Sequence, residues 1–423
     1  MPRTAHDSPA PPVSLDALDV FGPDTYLENG YPHAAWRRLR RESPAHWFDV
    51  PGGVGFWAIT RRADIVWISK QPSRFLNAPR LAIFEEGGPV EKREVRHLLN
   101  MDPPEHAQYR SAASHWFTPR AIAARRPEVE RITRDLLDEM AGDGETREAD
   151  FVADFTAPLT LAVLADMLGV PREDWHRMFR WTNQIAGSAD PEFQKGESPA
   201  ESMQDVRDNM FGYFARLAEQ RLREPKDDMI SVLTGARVDG GPMPPMELLS
   251  YFLLLVVAGN ETTRNAASGG LLALIENPGE LDKLRARPEG VDVAVEEIVR
   301  WTSPVIQFCR TPTSDVELHG KRIAAGDSLC LFYPSANRDE EAFEDPDVFR
   351  VDRRPNPHLG FGIGEHFCLG ANLARLELHV IFRELALRLE EVELAGRYER
   401  VRSSFLGGVK RMPIRYRLRP SRA

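Results

Sequence analysis

His358-Leu-Gly-Phe-Gly-Ile-Gly-Glu-His-Phe-Cys-Leu-Gly-Ala-Asn-Leu-Ala-Arg375 sets Gly360, Gly362, Gly364 and Gly370 around a single cysteine, Cys368, and leads into apolar spacing of three and four across 369–389. Glycine permits tight turns and close backbone approach to a flat partner, and the periodicity that follows is that of an amphipathic helix. Cys368 is thereby presented at a helix N-terminus, where the macrodipole and free amide groups favour thiolate, the form that binds metal. The other cysteines, Cys309 and Cys330, lie far back in the chain, so neither a paired-cysteine zinc site nor an iron–sulfur cluster has its ligands here. A lone thiolate suits one axial position on a haem iron. Two other readings stand beside it: a buried small side chain behind a turn, and a cysteine nucleophile served by His366 two residues away.

The rest of the chain reads as one mainly α unit with a smaller β part. Helical spacing recurs at 127–140, 157–168, 203–222 and 245–275, while strand-like pieces fall at 46–49, 55–60, 316–318, 328–332 and in the last twenty residues. No repeat or Gly/Ser linker divides the 423 residues, so a single catalytic unit over 15–423 is expected, preceded by a disordered Pro-, Ser- and Ala-rich arm at 1–14. That arm lacks an apolar run, and the most apolar stretch, 251–258, is far short of the roughly 20 residues a membrane span needs. With a net charge of −10, the chain is not suited to nucleic acid or to an anionic membrane. Three scattered cysteines point to reduced thiols, and the expectation is a soluble cytoplasmic protein without membrane anchor. Residues 74–100 have weak periodicity and are longer than an ordinary connection, as binding loops and lids are. Asp102-Pro-Pro-Glu105 then has the pattern of a capped helix start, and the helix after it carries His106 and Arg110 four apart, on one face.

Phe361-Gly-Ile-Gly-Glu-His-Phe-Cys-Leu-Gly370 resembles the haem-binding loop of the cytochrome P-450 monooxygenases. The resemblance implies the P-450 fold, with haem b held between a long oxygen-activation helix and the cysteine-loop helix. It makes Cys368 the proximal iron ligand, with Phe361, Gly362 and Gly370 around it and His366 at a propionate. His106, Arg110 and Arg310 match the family's propionate-neutralising cations, whose charges offset the cost of burying the two carboxylates. Glu297 and Arg300 share a helix face, and by spacing alone they form a surface pair worth about 0.2–0.5 kcal/mol. By resemblance they are the family's Glu-x-x-Arg pair, joined by Arg353 in structural support of the cysteine loop.

In Ala258-Gly-Asn-Glu-Thr-Thr-Arg-Asn265, polar residues interrupt an apolar helix. Thr262 can bond the carbonyl of Ala258, and Gly259 leaves room, so a local bulge and a polar notch are expected. The octet resembles the family's oxygen-activation motif, which casts Thr262 and Glu261 as catalytic: Thr262 hydrogen-bonds the oxygen being activated, and Glu261 relays protons from solvent. Asn260 with Arg264-Asn265 is similar to actinobacterial members that hydroxylate sterol side chains and methyl-branched lipids.

The resulting expectation is a haem-thiolate monooxygenase, an oxidoreductase that inserts one atom of O2 into an unactivated C–H bond of a hydrophobic substrate. Steroid or isoprenoid lipids come first, branched fatty acids second, and terpenoids fit the same apolar pocket. The pocket is expected between the 74–100 loop, the helix face at Val256, Ala258 and Thr262, the segment Val305-Ile306-Gln307, and Leu406. No GxGxxG fingerprint follows a strand, so electrons come indirectly from NAD(P)H through a ferredoxin and its reductase, docking near the cysteine with help from Arg110 and Arg375. A peroxide-driven enzyme and a noncatalytic haem sensor share the same loop, but neither needs the acid–threonine pair. The family default is a monomer.

Overall fold

A computed structural model describes residues 13–50, 53–83, 96–186, 192 and 198–421. Most of the arm expected at 1–14, and residues 84–95 of the expected binding loop, lie outside the described residues.

The organising element is a 32-residue helix, Pro245–Glu276. It opens with proline in its first turn, where the missing N–H is not needed, and from Asn260 to Leu274 it is buried on nearly every side. Such a helix belongs at the centre of the molecule. Helices Val291–Thr302 and Ala371–Arg388 pack on it and on each other. Their approach is close because Gly270 has no side chain: a Cβ there would stand 2.6 Å from the ring of Phe382 and 2.7 Å from Ile298. The helix Ala157–Leu168 covers another flank and ends at Gly169 in the left-handed conformation, with its amide on the carbonyls of Ala165 and Asp166.

Beside this bundle lies a five-stranded sheet in the order Ala45–Phe48, Phe56–Ile59, Leu329–Phe332, Gln307–Pro312, Phe75–Leu76. All its pairings are antiparallel except that of Phe56–Ile59 with Leu329–Phe332. A second sheet joins Leu389–Leu394, Pro413–Leu418 and Thr146–Asp150. The mainly α architecture with a smaller β part is therefore present. Among the described residues no helix is long and apolar enough to cross a membrane.

Two helix starts differ from expectation. The helix expected at 127–140 begins at Pro119, because the Thr118 hydroxyl accepts the Ala121 amide as a cap, and it runs through Pro127. The helix expected to be capped by Asp102 begins at Glu105. The Asp102 carboxylate is instead taken by the amides of Asn77 and Ala78, at 2.7 and 3.2 Å, which fastens the strand exit to the helix start.

Candidate active site

Residues 358–370 fold as a loop that follows the short helix Tyr333–Ala336 in the chain and leads into the N-terminus of Ala371–Arg388. Gly362 and Gly364 have positive φ, and a Cβ on Gly364 would lie 2.2 Å from the carbonyl oxygen of Ser69. Only glycine allows the loop to pass there. The Cys368 amide donates to the Phe361 carbonyl at 2.9 Å, closing the loop on itself. Beneath it the Arg375 guanidinium lies 4.4 Å from the centre of the Phe361 ring and binds Glu296 at 2.7 and 2.9 Å. Arg375, expected to help an electron donor dock, is thus already engaged.

Glu297 and Arg300 are fully buried, so the surface-pair reading fails. Glu297 accepts from Arg300 Nε and Nη2 at 2.7 Å, from Arg353 Nε at 3.0–3.1 Å, from Asn356 Nδ2 at 3.1 Å and from the Arg350 amide at 2.9 Å. The two guanidiniums also donate to the carbonyls of Asn337, Glu344, Asp345, Pro346 and Val348. This network ties residues 337–356, which lead into the cysteine loop, to the helix Val291–Thr302.

Above the loop opens a cavity with about 1560 Å³ of empty space, its open mouth included. Cys368, Phe361, Gly362 and Gly370 line it on one side, and Ala258, Gly259 and Thr262 of the long helix also face it. Burial pushes the Cys368 thiol above its ordinary range, opposed by the Gly370 amide and by Arg110 and Arg375. The helix starts at Ala371, three residues past Cys368, and a metal cation bound at the sulfur would favour its thiolate.

The notch in the long helix also differs in part. Thr262 Oγ1 donates to the Ala258 carbonyl at 2.9 Å as expected, yet the helix continues without a bulge. Glu261 does not line the cavity. It is 1% exposed and paired with Arg264, which donates to Asn183 of the helix Trp175–Ala186 at 3.1 Å. Burial raises its carboxyl, with Arg264 opposing. Asn260, also buried, accepts from Thr160 at 2.6 Å and donates to Thr182 at 2.9 Å.

Val256, Ile306 and Leu406, expected in the pocket, do not line it. Val256 packs in the helical core and Ile306 in the core beneath the sheet, while Leu406 forms a backbone bridge to Val305. Val305 does line the cavity, with Pro304, Phe308, Leu254 and Leu255. Stepping back from Thr262 by four and then three residues reaches Ala258 and Leu255, and that spacing would have found Leu255 in place of Val256. Asn77, Leu81, Leu98 and Leu99 bring the described ends of the 74–100 segment to the same cavity.

Two guanidiniums and two imidazoles gather at its rim: Arg110, Arg310, His106 and His366 all line it. The rings of His106 and His366 are 4.0 Å apart between centroids. His106 Nδ1 meets Glu365 at 3.0 Å, but His106 Nε2 and both ring nitrogens of His366 are buried without a hydrogen-bond partner among the described residues. Burial, with repulsion from His106, Arg310 and Arg110, drives His366 down to about 2. Burial also lowers His106, with Glu365 opposing. Unpartnered ring nitrogens beside two guanidiniums suit an anion, whose charge would also favour protonated, donating imidazoles. The carboxylates of a haem above Cys368 would supply one, so the residues present fit that group.

Residues 289–396 match the cytochrome P450 family model. Over 410 residues, 95% of this chain and 94% of the relative, the sequence is 40% identical to the methyl-branched lipid omega-hydroxylase of Mycobacterium tuberculosis (strain CDC 1551 / Oshkosh). The chain belongs to the cytochrome P450 family. This P450 is also 38% identical over 420 residues to the steroid C26-monooxygenase of Rhodococcus jostii (strain RHA1), covering 96% of this chain and 86% of that one. Its fold matches a Mycobacterium marinum cytochrome P450 solved in complex with pseudoionone, with a TM-score of 0.87, 35% identity, and 96% and 100% of the two chains covered. It is accordingly a haem-thiolate monooxygenase that hydroxylates hydrophobic substrates.

Proposed function

We propose that Cys368 would ligate the iron of haem b and that Thr262, lining the same cavity, would serve oxygen activation there, with a steroid or isoprenoid lipid as first substrate and a methyl-branched fatty acid second. The observation that carries this reading is one cavity lined both by Cys368 in its glycine loop and by Thr262, with His106, Arg110, Arg310 and His366 at its rim. Bound there, the haem supplies activation of O2 with electron density from the thiolate.

The remaining work falls to the chain. His106, His366, Arg110 and Arg310 hold the propionates and orient the macrocycle. Phe361 covers the sulfur side against water, and Glu297, Arg300 and Arg353 hold the approach to the loop. Thr262 Oγ1 exchanges its bond to the Ala258 carbonyl for one to the oxygen under reaction. Glu261 is the proton carrier: once its pair with Arg264 breaks, burial raises its carboxyl, so it takes a proton from solvent and passes it toward Thr262. Leu98, Leu99, Leu254, Leu255, Val305 and Phe308 give the substrate an apolar wall, in keeping with the lipid and steroid named for the relatives. Electrons arrive from NAD(P)H through a ferredoxin and its reductase, docking near Phe367, a 39% exposed side chain next to Cys368. The enzyme works in the cytoplasm as a monomer, with residues 15–423 as one catalytic unit.

The test is the carbon monoxide difference spectrum of the dithionite-reduced protein beside that of Cys368→Ala, followed by titration with a lipid panel. A strongly red-shifted Soret band that the substitution abolishes is expected. A band that survives it removes Cys368 as ligand, and a panel with no effect on the spectrum removes the substrate class.

A further inference from the structure

Gln307, the first residue of the strand Gln307–Pro312, is 1% exposed and does not line the cavity. Its carboxamide is nevertheless the meeting point of three separate segments. Nε2 donates to the Ile83 carbonyl at 2.7 Å while Oε1 accepts the Ile83 amide at 3.3 Å, so one side chain satisfies both backbone groups of one residue as a neighbouring strand would. Nε2 also points at the Ser404 carbonyl, 3.5 Å away, and Oε1 accepts from the Cys330 thiol at 3.4 Å. Two residues along the strand, the Cys309 amide donates to the Leu81 carbonyl at 2.7 Å. Residues 81–83 have no strand pairing of their own; these bonds attach them to the sheet.

The attachment bears on the cavity because its neighbours line it. Leu81, Val305 and Phe308 all face that space. Val305 is bridged to Leu406, and the Ile306 amide donates to the Phe405 carbonyl at 2.9 Å. Where Leu81 stands relative to Val305 and Phe308 is therefore set through Gln307 and the Cys309 amide, with apolar contacts supplying no comparable direction.

We propose that Gln307 is a positioning residue for substrate selection: by clamping residues 81–83 to the strand Gln307–Pro312 it fixes Leu81 in the cavity wall and thereby the width of ligand accepted. The proposal rests on the cavity being the substrate site. Without the carboxamide, the Ile83 amide and carbonyl lose their partners in a dry setting, where unmade hydrogen bonds are costly, and the segment moves outward to satisfy them in water.

The test uses the haem-loaded protein, with Gln307→Met, which keeps length and volume, and Gln307→Glu, which keeps the acceptor and loses the donor. Two probes of different width, a long straight-chain fatty acid and a 3-keto sterol, are titrated by their effect on the Soret band. The ratio of the two dissociation constants should change by about fivefold or more in Gln307→Met and by less in Gln307→Glu, with the carbon monoxide band intact. Leu81→Ala, which leaves the clamp in place, should move the ratio in the same direction. A ratio in Gln307→Met within about twofold of the parent, with the band intact, overturns the proposal and leaves the cavity reading standing. Neither probe shifting the parent's spectrum removes both. If Gln307→Met fails to load haem, hydrogen exchange at the Ile83 amide of the parent decides: exchange slowed at least about tenfold relative to an unstructured peptide supports the clamp, and unprotected exchange overturns it.

Discussion

Replacing Glu297 by glutamine removes one charge and almost no volume, at a position where five donors converge on one carboxylate. Arg300 and Arg353 are 0% and 3% exposed, so neither guanidinium can turn to water once its anion is gone. Breaking a buried pair by removing one partner costs about 3–5 kcal/mol, because the surviving charge stays buried without compensation. Here two cations survive, while the five backbone carbonyls around them keep part of their donors satisfied. These opposing effects put the expected loss at about 4 kcal/mol. With a urea dependence of at least about 3 kcal/mol per molar for a chain of this size, the midpoint should fall by roughly 1 M. The assay is urea unfolding of parent and Glu297→Gln, followed by both far-UV circular dichroism and the Soret band, each compared with the parent on the same probe. The Soret transition should fall at least as far, because the residues tied down lead directly into the cysteine loop. A shift below about 0.3 M on both probes would refute the assignment of the loop's anchorage to this network.

Three further outcomes are expected. Glu296 would be raised by burial, but hydrogen bonds from Arg375 and His358 overcome this and hold it at about 2. A depressed folded-state value stabilises above the unfolded value near 4.5 and is lost as pH falls toward 2. Parent should therefore exceed Glu296→Gln by about 1–2 kcal/mol near neutrality, after discounting for partial exposure, and the gap should close between pH of about 4.5 and 2 in acid-unfolding titrations. Gly364→Ala drives a methyl into the Ser69 carbonyl and strains a positive φ; haem content per protein should drop severalfold by pyridine haemochrome assay, and full loading would contradict the loop geometry. Thr262→Ala should leave the carbon monoxide band in place while most NAD(P)H consumed with surrogate redox partners appears as peroxide, and unchanged coupling would remove the role given to Thr262.

Local chemistry made some features readable in the chain and left others hidden. The cysteine loop is legible because four glycines, a histidine and a cysteine at fixed spacing serve a single backbone path, and the family resemblance singles out Thr262 and the two arginines and two histidines that line the same cavity. Burial of Glu297 and Arg300 is not legible, since a glutamate and an arginine three apart look the same on a wet helix and in a core. Glu261 is hidden for a similar reason: whether it turns to the cavity or to Arg264 depends on Asn183, on another helix. The choice of Leu255 over Val256 was within reach of helical spacing alone. The late helix start at Glu105 was not, because the competing claim on the Asp102 carboxylate comes from the amides of Asn77 and Ala78, a quarter of a hundred residues earlier in the chain.

The network on Glu297 and the leucine wall share no side chains. Anchorage draws on Glu296, Glu297, Arg300, Arg353, Asn356 and Arg375, whereas the wall draws on Leu81, Leu98, Leu99, Leu254, Leu255 and Phe308. Substitutions in two sets of side chains with no common partner combine almost additively, so changes in what the enzyme accepts need not erode the stability of its metal centre. For directed evolution this separates a variable surface from a fixed one. A library confined to those wall leucines and Phe308 should yield altered ligand preference at a much higher frequency than loss of haem.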